Sequence, residues 1–342
     1  DRRSSVRALR LRDIAGLANR GREGLGLNHR RYFNKAEGKE KRDLVIEEVR
    51  GTEEMQRRVR MTARGQQGGW MRWQVKEKKL SHQDLWRTTE GSLRFLVKSV
   101  YDLLPTPANK NRWYSTDEHK CKLCNQPANL QHILSGCKVA LQQGRYTWRH
   151  NKVLNELAYC IDERRKEVNG SPKKPRRWIQ FHKSGMKAAK RPQRYDSNFL
   201  EAARDWKMEV DLHQQLKFPE FIAETNQRPD LIIYSTEAKC IAIIELTVPS
   251  EERTEVSSEL KTSRYSELAD QCRKNGYNTQ LWPVEMGVRG FPAPTLEKVL
   301  KEIGFTGKQR KKILDKLSEV TIKASQVLWN NANNEQWGKH QG

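Results

Sequence analysis

Along the first third of the chain apolar residues recur at helical spacing, and near the end they gather into short alternating runs, so two different architectures are predicted. Leu44, Val45 and Val49 lie on one face of an amphipathic helix in the charged stretch KAEGKEKRDLVIEEVRGTEEMQRRVRMTARG, and RGQQGG at 64–69 breaks it. Ser81 is placed to cap a helix running through Leu85. The next helix is predicted over Leu93, Phe95, Leu96, Val100, Leu103 and Leu104, with Pro105 and Pro107 as its stop. Another is expected from about 145 to 167.

From Asn198 onward helices alternate with apolar strands, the pattern of an α/β domain. LIIY (231–234) and CIAIIELTV (240–248) read as two strands joined by the hairpin turn TEAK, after which Pro249 and Ser250 open a long helix. DWKMEVDL reads as a preceding helix holding Asp205 and Asp211; either could be a further acid of the site, with surface placement as the default. The stretch SPKKPRRWIQFHKSGMKAAKRPQR (171–194) has nine Lys or Arg and no acid, and its prolines and glycine argue for a basic linker rather than a packed element.

The charge changes the picture most. The 342 residues carry 65 Lys and Arg against 42 Asp and Glu, a net charge of +23. Such a field selects a polyanionic partner: nucleic acid, as double-stranded DNA or RNA, rather than a membrane, since no apolar run approaches the roughly 20 residues of a span. The chain starts at Asp1 rather than Met, which suggests a piece of a longer product.

Six cysteines are too few for a disulfide framework, but three of them crowd with a histidine in CKLCNQPANLQHILSGC. Cys121, Cys124, His132 and Cys137 form C-x2-C-x7-H-x4-C, in which a tight turn presents two thiolates and a second short segment closes a tetrahedron around Zn2+. Gly136 is expected to let the backbone approach the ion. Four protein ligands leave no open position, so the zinc is structural. On the helix that follows, Arg145, Tyr146, Trp148, Arg149 and His150 have two readings. They stack on bases and pair with phosphates, or Tyr146 and Trp148 pack beneath the knuckle while the arginines face water.

In the strands, side-chain alternation puts Ile241, Ile243, Glu245 and Thr247 on one face, and pairing brings Asp230 beside Glu245. Two adjacent carboxylates repel each other unless a divalent cation binds between them. On the next helix Lys261, Tyr265, Leu268 and Cys272 share one stripe, so Lys261 points toward the sheet and the carboxylate pair. Glu251 and Glu252, at the start of that helix, have two readings, a further metal contact or stabilisation of the helix dipole. His182 and His213 are lone histidines with no assigned role.

This arrangement resembles the restriction-enzyme-like PD-(D/E)xK nuclease core, with RPD at 228–230 and the second acid in IIELT at 243–247. The usual lysine position, two residues after the second acid, is Thr247, and Lys261 would be its migrated counterpart. This variant resembles the endonuclease of the early-branching, site-specific non-LTR retrotransposons. The C-x2-C-x7-H-x4-C knuckle, the R-x-x-W-R-H-N helix (Arg145 to Asn151), SVYDLLPTPANKNRW (99–113) and PVEMGVRGF (283–291) are similar to such proteins and their relatives without a polymerase.

The resemblance implies four regions: a basic, α-rich nucleic-acid-binding part (1–114), the zinc knuckle with its helix (115–168), the linker (169–197) and a restriction-like endonuclease domain (198–342). It implies Mg2+ or Mn2+ on Asp230 and Glu245, with Lys261 positioning the attacking water. Arg145, Trp148, Arg149, His150, Lys173, Lys174, Arg176, Arg177, Arg228 and Tyr265 would serve the nucleic acid. Nicking of target DNA in the nucleus follows. The chain has no pair of adjacent aspartates, so a reverse transcriptase would lie elsewhere on the parent polypeptide. The alternatives are a domesticated nucleic-acid-binding protein without catalysis, and a scaffold for protein partners.

Overall fold

The computed structural model describes residues 35–78, 80, 82–116, 119–172, 198–212 and 216–337. They divide into two compact units, the first ending at Met71 and the second starting at Arg72. The first unit carries α1 (Lys39–Thr62), whose predicted apolar face is at most half-buried. After the helix ends, Gly68 folds back so closely that a Cβ there would lie 1.9 Å from the Met61 carbonyl oxygen, a position only glycine can fill.

The second unit is mixed α/β. Its four strands are β1 (Lys207–Val210), β2 (Leu231–Ser235), β3 (Cys240–Thr247) and β4 (Asn278–Glu285), ordered β1-β2-β3-β4 in one sheet. The first three are antiparallel neighbours, and β3 and β4 run parallel. A parallel pair needs a crossover, here α7 (Thr254–Lys274). Around the sheet lie α2 (His82–Arg87), α3 (Glu90–Val100), α4 (Pro107–Tyr114), α5 (Lys138–Gln142), α6 (Arg145–Asn169), α8 (Pro294–Ile303) and α9 (Gly307–Asn330).

Strand alternation decides what covers each face. Ile232, Tyr234, Ile241 and Ile243 pack on Tyr265, Leu268, Ala269 and Cys272 of α7. Leu231, Ile233, Ala242, Ile244 and Leu246 pack on the other side against α6, α8 and α9, among them Leu154, Leu157, Leu300 and Leu317. Glu245 and Thr247, in phase with Ile241 and Ile243, therefore belong to the α7 face.

Three elements differ from expectation. The helix over Leu93 stops at Val100, because Asp102 adopts a left-handed φ of 51°. Pro107 then begins α4 instead of ending a helix: it stands at a first-turn position behind the Thr106 cap, whose Oγ1 accepts from Asn109 N at 3.1 Å. The proposed cap Ser81 lies outside the described residues.

DWKMEVDL is not a helix. Lys207 to Val210 pair with Tyr234 to Leu231 as an edge strand. Asp205 leads into it and holds the β2–β3 turn, accepting from Ser235 Oγ (2.5 Å), Thr236 N (3.0 Å), Thr236 Oγ1 (3.1 Å) and Glu237 N (3.0 Å). Burial alone would raise its carboxyl, but these donors lower it below the ordinary value. Asp205→Ala is expected to cost about 2 kcal/mol at neutral pH, read by urea unfolding. A folded value below the unfolded value of about 3.9 gives stability that is complete above that value and lost as pH falls through the folded one. The gap between wild type and variant should therefore close in acid. An unchanged gap at pH 2 and pH 7 would remove the carboxylate from the account.

Candidate functional site

Asp230 directly precedes β2 and Glu245 lies near the end of β3, next to it by extension of the Leu231–Ile244 register. The two strands exchange side chain and backbone here. Asp230 N donates to Glu245 Oε2 at 3.0 Å, and Leu246 N donates to Asp230 Oδ2 at 2.8 Å. Lys261 reaches from α7 to the other oxygen of Glu245. The predicted trio thus meets in one groove of about 360 Å3, where Thr247, Arg228 and Arg264 also stand.

Glu245 is only 2% exposed. Burial pushes its carboxyl above the ordinary value and the Asp230 charge pushes it further, while Lys261 pulls it back. A carboxylate held at this tension gains from any added positive charge. Tyr265 donates to the Arg228 carbonyl at 3.0 Å, and its phenol is raised by burial and by Glu245, so it is fixed as a neutral hydroxyl. Tyr265 thus lines the groove with its hydroxyl committed to the Arg228 carbonyl. Arg228 and Arg264 are exposed at the rim, and their charge suits phosphate.

The other wall comes from the first turns of α6. His150 Nε2 lies 3.2 Å from Asp230 Oδ2 and 3.1 Å from the Leu246 carbonyl oxygen, and its Nδ1 lies 3.1 Å from Asn151 Oδ1. Both ring nitrogens face acceptors, the arrangement of an imidazolium. Burial works against that charge, but Asp230 outweighs it and raises His150 above its ordinary value.

The cysteine–histidine segment folds as its spacing predicts. Asn125, at a left-handed φ of 60°, closes the turn between Cys121 and Cys124, with Asn125 N donating to Cys121 O at 2.8 Å. His132 to Gly136 then make one π-helical turn that brings His132 and Cys137 round. The four ligand atoms lie within 4.8 Å of one another, with Cys124 Sγ 3.2 Å from His132 Nε2 and Cys121 Sγ 4.0 Å from Cys137 Sγ. Ligands at zinc bond lengths of about 2.3 Å in a tetrahedron are about 3.8 Å apart, so the set fits a metal ion such as zinc. Burial lowers His132, favouring the neutral imidazole that a metal requires. The expected need for Gly136 is not met: a Cβ there would have 3.7 Å to its nearest neighbour.

Tyr146 locks the knuckle from α6, accepting from Cys137 N at 3.1 Å and donating toward the carbonyls of Ile133 (3.0 Å) and His132 (3.2 Å). Trp148 is half-buried against Trp337, with ring centroids 5.4 Å apart. Tyr146 thus packs beneath the knuckle, while Trp148 packs against Trp337.

The arginines differ from both readings, since neither faces water or a ligand. Arg145 is 2% exposed and donates to the carbonyls of Asn331 (2.8 Å) and Asn334 (2.5 Å). Arg149 is 1% exposed and joins three elements, donating to the carbonyls of Leu134 (2.8 Å) and Val248 (3.2 Å) and to Ser325 Oγ (3.3 Å). Backbone carbonyls left over at the ends of the π turn, β3 and α9 need donors, and a planar guanidinium supplies several at fixed angles. Lys173, Lys174, Arg176, Arg177, His182 and His213 lie outside the described residues.

Glu251 and Glu252 point away from the acidic pair. Glu251 is fully enclosed with Arg289, whose Nη1 is 2.5 Å from Oε2 and whose backbone N donates to Oε1 at 2.6 Å. Gly287 leaves room for this pair, since a Cβ there would be 2.4 Å from Glu251 Oε1. Glu252 accepts from Trp73 Nε1 at 3.0 Å, and the Trp73 ring lies 4.7 Å from the Arg289 guanidinium. The GVRGF segment is thus a structural clamp.

The groove holds three residues that sequence reasoning passed over or misplaced. Asp211 lines it from the end of β1, with its N donating to the Asp230 carbonyl at 2.8 Å. Arg264 was findable, being one helical turn after Lys261. Asn151 had no local signal beyond following His150. A scan against protein-family models gives no match for the chain, and a search of curated proteins gives none.

Proposed function

We propose that this chain is a metal-dependent endonuclease that hydrolyses a phosphodiester bond of DNA, of the PD-(D/E)xK kind and similar to the endonuclease of early-branching non-LTR retrotransposons. One observation carries the reading: two strand-borne carboxylates and a lysine converge in a groove rimmed by arginines, on a chain of net charge +23. A lone structural ion pair needs one acid, whereas here a second raises the first.

Asp230 and Glu245 would hold Mg2+ or Mn2+, since both offer only oxygen, the donor such hard cations take. Bound there, the ion supplies charge neutralisation at the phosphate and a more acidic water. Lys261 carries three donors on a side chain that is 24% exposed. Once drawn from Glu245 it reaches a phosphate oxygen or orients the attacking water. Arg228 and Arg264 hold flanking phosphates. The knuckle is structural, and Lys173, Lys174, Arg176 and Arg177 add charge for the duplex. The site of action is the nucleus, where such target DNA lies. Among the described residues no helix is long and apolar enough to cross a membrane.

A second reading, a nucleic-acid-binding protein without catalysis, is favoured by Thr247 at the usual lysine position. Its hydroxyl is buried and has no hydrogen-bond partner among the described residues. Nicking of supercoiled plasmid separates the two. The nuclease reading expects open circles with Mg2+ or Mn2+ and none with EDTA, alongside binding whose logarithm falls with that of salt by about 0.9 per phosphate contact. Salt-sensitive binding with no cut under any divalent ion would leave the second reading standing.

A further inference from the structure

We propose that His150, steadied by Asn151, is a positioning residue that orients the Asp230 carboxylate for its ion, rather than a contact for nucleic acid. The inference rests on the reading of Asp230 and Glu245 as metal-holding carboxylates.

The geometry is a chain of three bonds anchored at both ends. Asn151 Nδ2 donates to the Leu212 carbonyl at 2.8 Å, which fixes the amide so that Oδ1 turns to His150 Nδ1, 3.1 Å away. The ring is thereby held edge-on to the β2–β3 junction. Its Nε2 faces two acceptors, Asp230 Oδ2 at 3.2 Å and the Leu246 carbonyl at 3.1 Å, and so carries a proton. Leu246 N donates to the same Oδ2 at 2.8 Å.

Among the described residues both bonds that the Asp230 carboxylate accepts therefore land on Oδ2. They set the torsion of the carboxylate and leave Oδ1 to take a ligand from the groove. A carboxylate that needs no reorientation loses less entropy when a cation binds, and outer partners of this kind are worth about 10–100-fold in metal affinity. Contact with nucleic acid fits the ring poorly. His150 is 22% exposed at its side chain, and both nitrogens are committed inside the chain.

The test uses the full chain with His150→Leu, His150→Gln and Asn151→Leu, and three readouts. These are Mn2+ binding by calorimetry without DNA, the Mn2+ concentration giving half-maximal plasmid nicking, and DNA affinity in EDTA by fluorescence anisotropy at fixed salt. His150→Leu is expected to weaken Mn2+ binding and raise the half-maximal concentration by about 10–100-fold, with DNA affinity within twofold of wild type. Gln, whose amide nitrogen reaches the same acceptors, should recover most of the loss. Asn151→Leu should shift both metal readouts in the same direction by less, and add nothing to His150→Leu in the double variant.

Weakened DNA affinity with an unchanged Mn2+ requirement would make His150 a nucleic-acid contact and overturn the proposal. Gln as poor as Leu, or no change in any readout, would overturn it too. If thermal unfolding shows that His150→Leu does not fold, the Asn151→Leu titration decides alone. A wild-type chain that neither binds Mn2+ nor nicks would bring down the nuclease reading itself, a result distinct from a wild type that cuts and His150 variants that cut equally well.

Discussion

Asp230→Asn is expected to lower metal-dependent nicking by about 10^3-fold, some 4 kcal/mol of barrier at roughly 1.4 kcal/mol per factor of ten. The same change should leave stability within about 1 kcal/mol of wild type. Asparagine keeps an oxygen to accept from Leu246 N. It removes the negative charge that, after burial, does most to raise Glu245. Relief of that repulsion offsets the weaker bond to His150.

Lys261→Met separates the two effects from the other side. It leaves Glu245, 2% exposed, without its counter-ion. It should cost about 2–3 kcal/mol as well as activity, below the range for a fully buried pair because Lys261 is partly solvated. Single-turnover nicking and thermal unfolding measure both quantities. An acid serving only to tie β2 to β3 would show the reverse, with Asp230→Asn losing stability and leaving cutting intact.

Loss of metal from the knuckle is the second large effect. Structural zinc contributes on the order of 10 kcal/mol to the folding of small zinc modules. Cys137→Ser, or chelation in the absence of DNA, is expected to remove at least about 5 kcal/mol and lower the melting temperature by about 10 °C or more for a unit of this size. The thiols of Cys121 and Cys137 are buried, so without an ion they gain neither water nor a partner charge. Atomic emission should find one zinc per chain in the purified protein. No zinc, together with an unmoved melting temperature, would reduce the cluster to packed thiols.

How much of this was legible depends on how local each determinant is. The ligand spacing of the knuckle and the β-branched runs of β2 and β3 are short-range signals, and the structure follows them to within one residue at the strand ends. The acidic pair was legible because strand alternation and one hairpin turn fix the register. β1 was not, because KMEV has no strand pattern of its own and becomes a strand only by pairing with Leu231 to Tyr234. The end of α3 was hidden for a related reason: Leu103 and Leu104 continue the apolar period past Asp102, where the backbone has already turned left-handed.

Arg145 and Arg149 are the clearest failure. Their acceptors come from segments far away in sequence, some of them nearly two hundred residues on, and on a chain so basic an arginine reads by default as a ligand for phosphate.

Arg149 also bears on how such a protein changes over time. Its guanidinium joins the turn after the cysteine–histidine cluster's His132 to the residue just past β3, and α6 shares one apolar interior with the sheet. The knuckle and the acidic groove are therefore not exchangeable cassettes, although the composition of the chain suggests a seam between them. A cut in that stretch would strand the Arg149 guanidinium away from Val248 and uncover part of one sheet face.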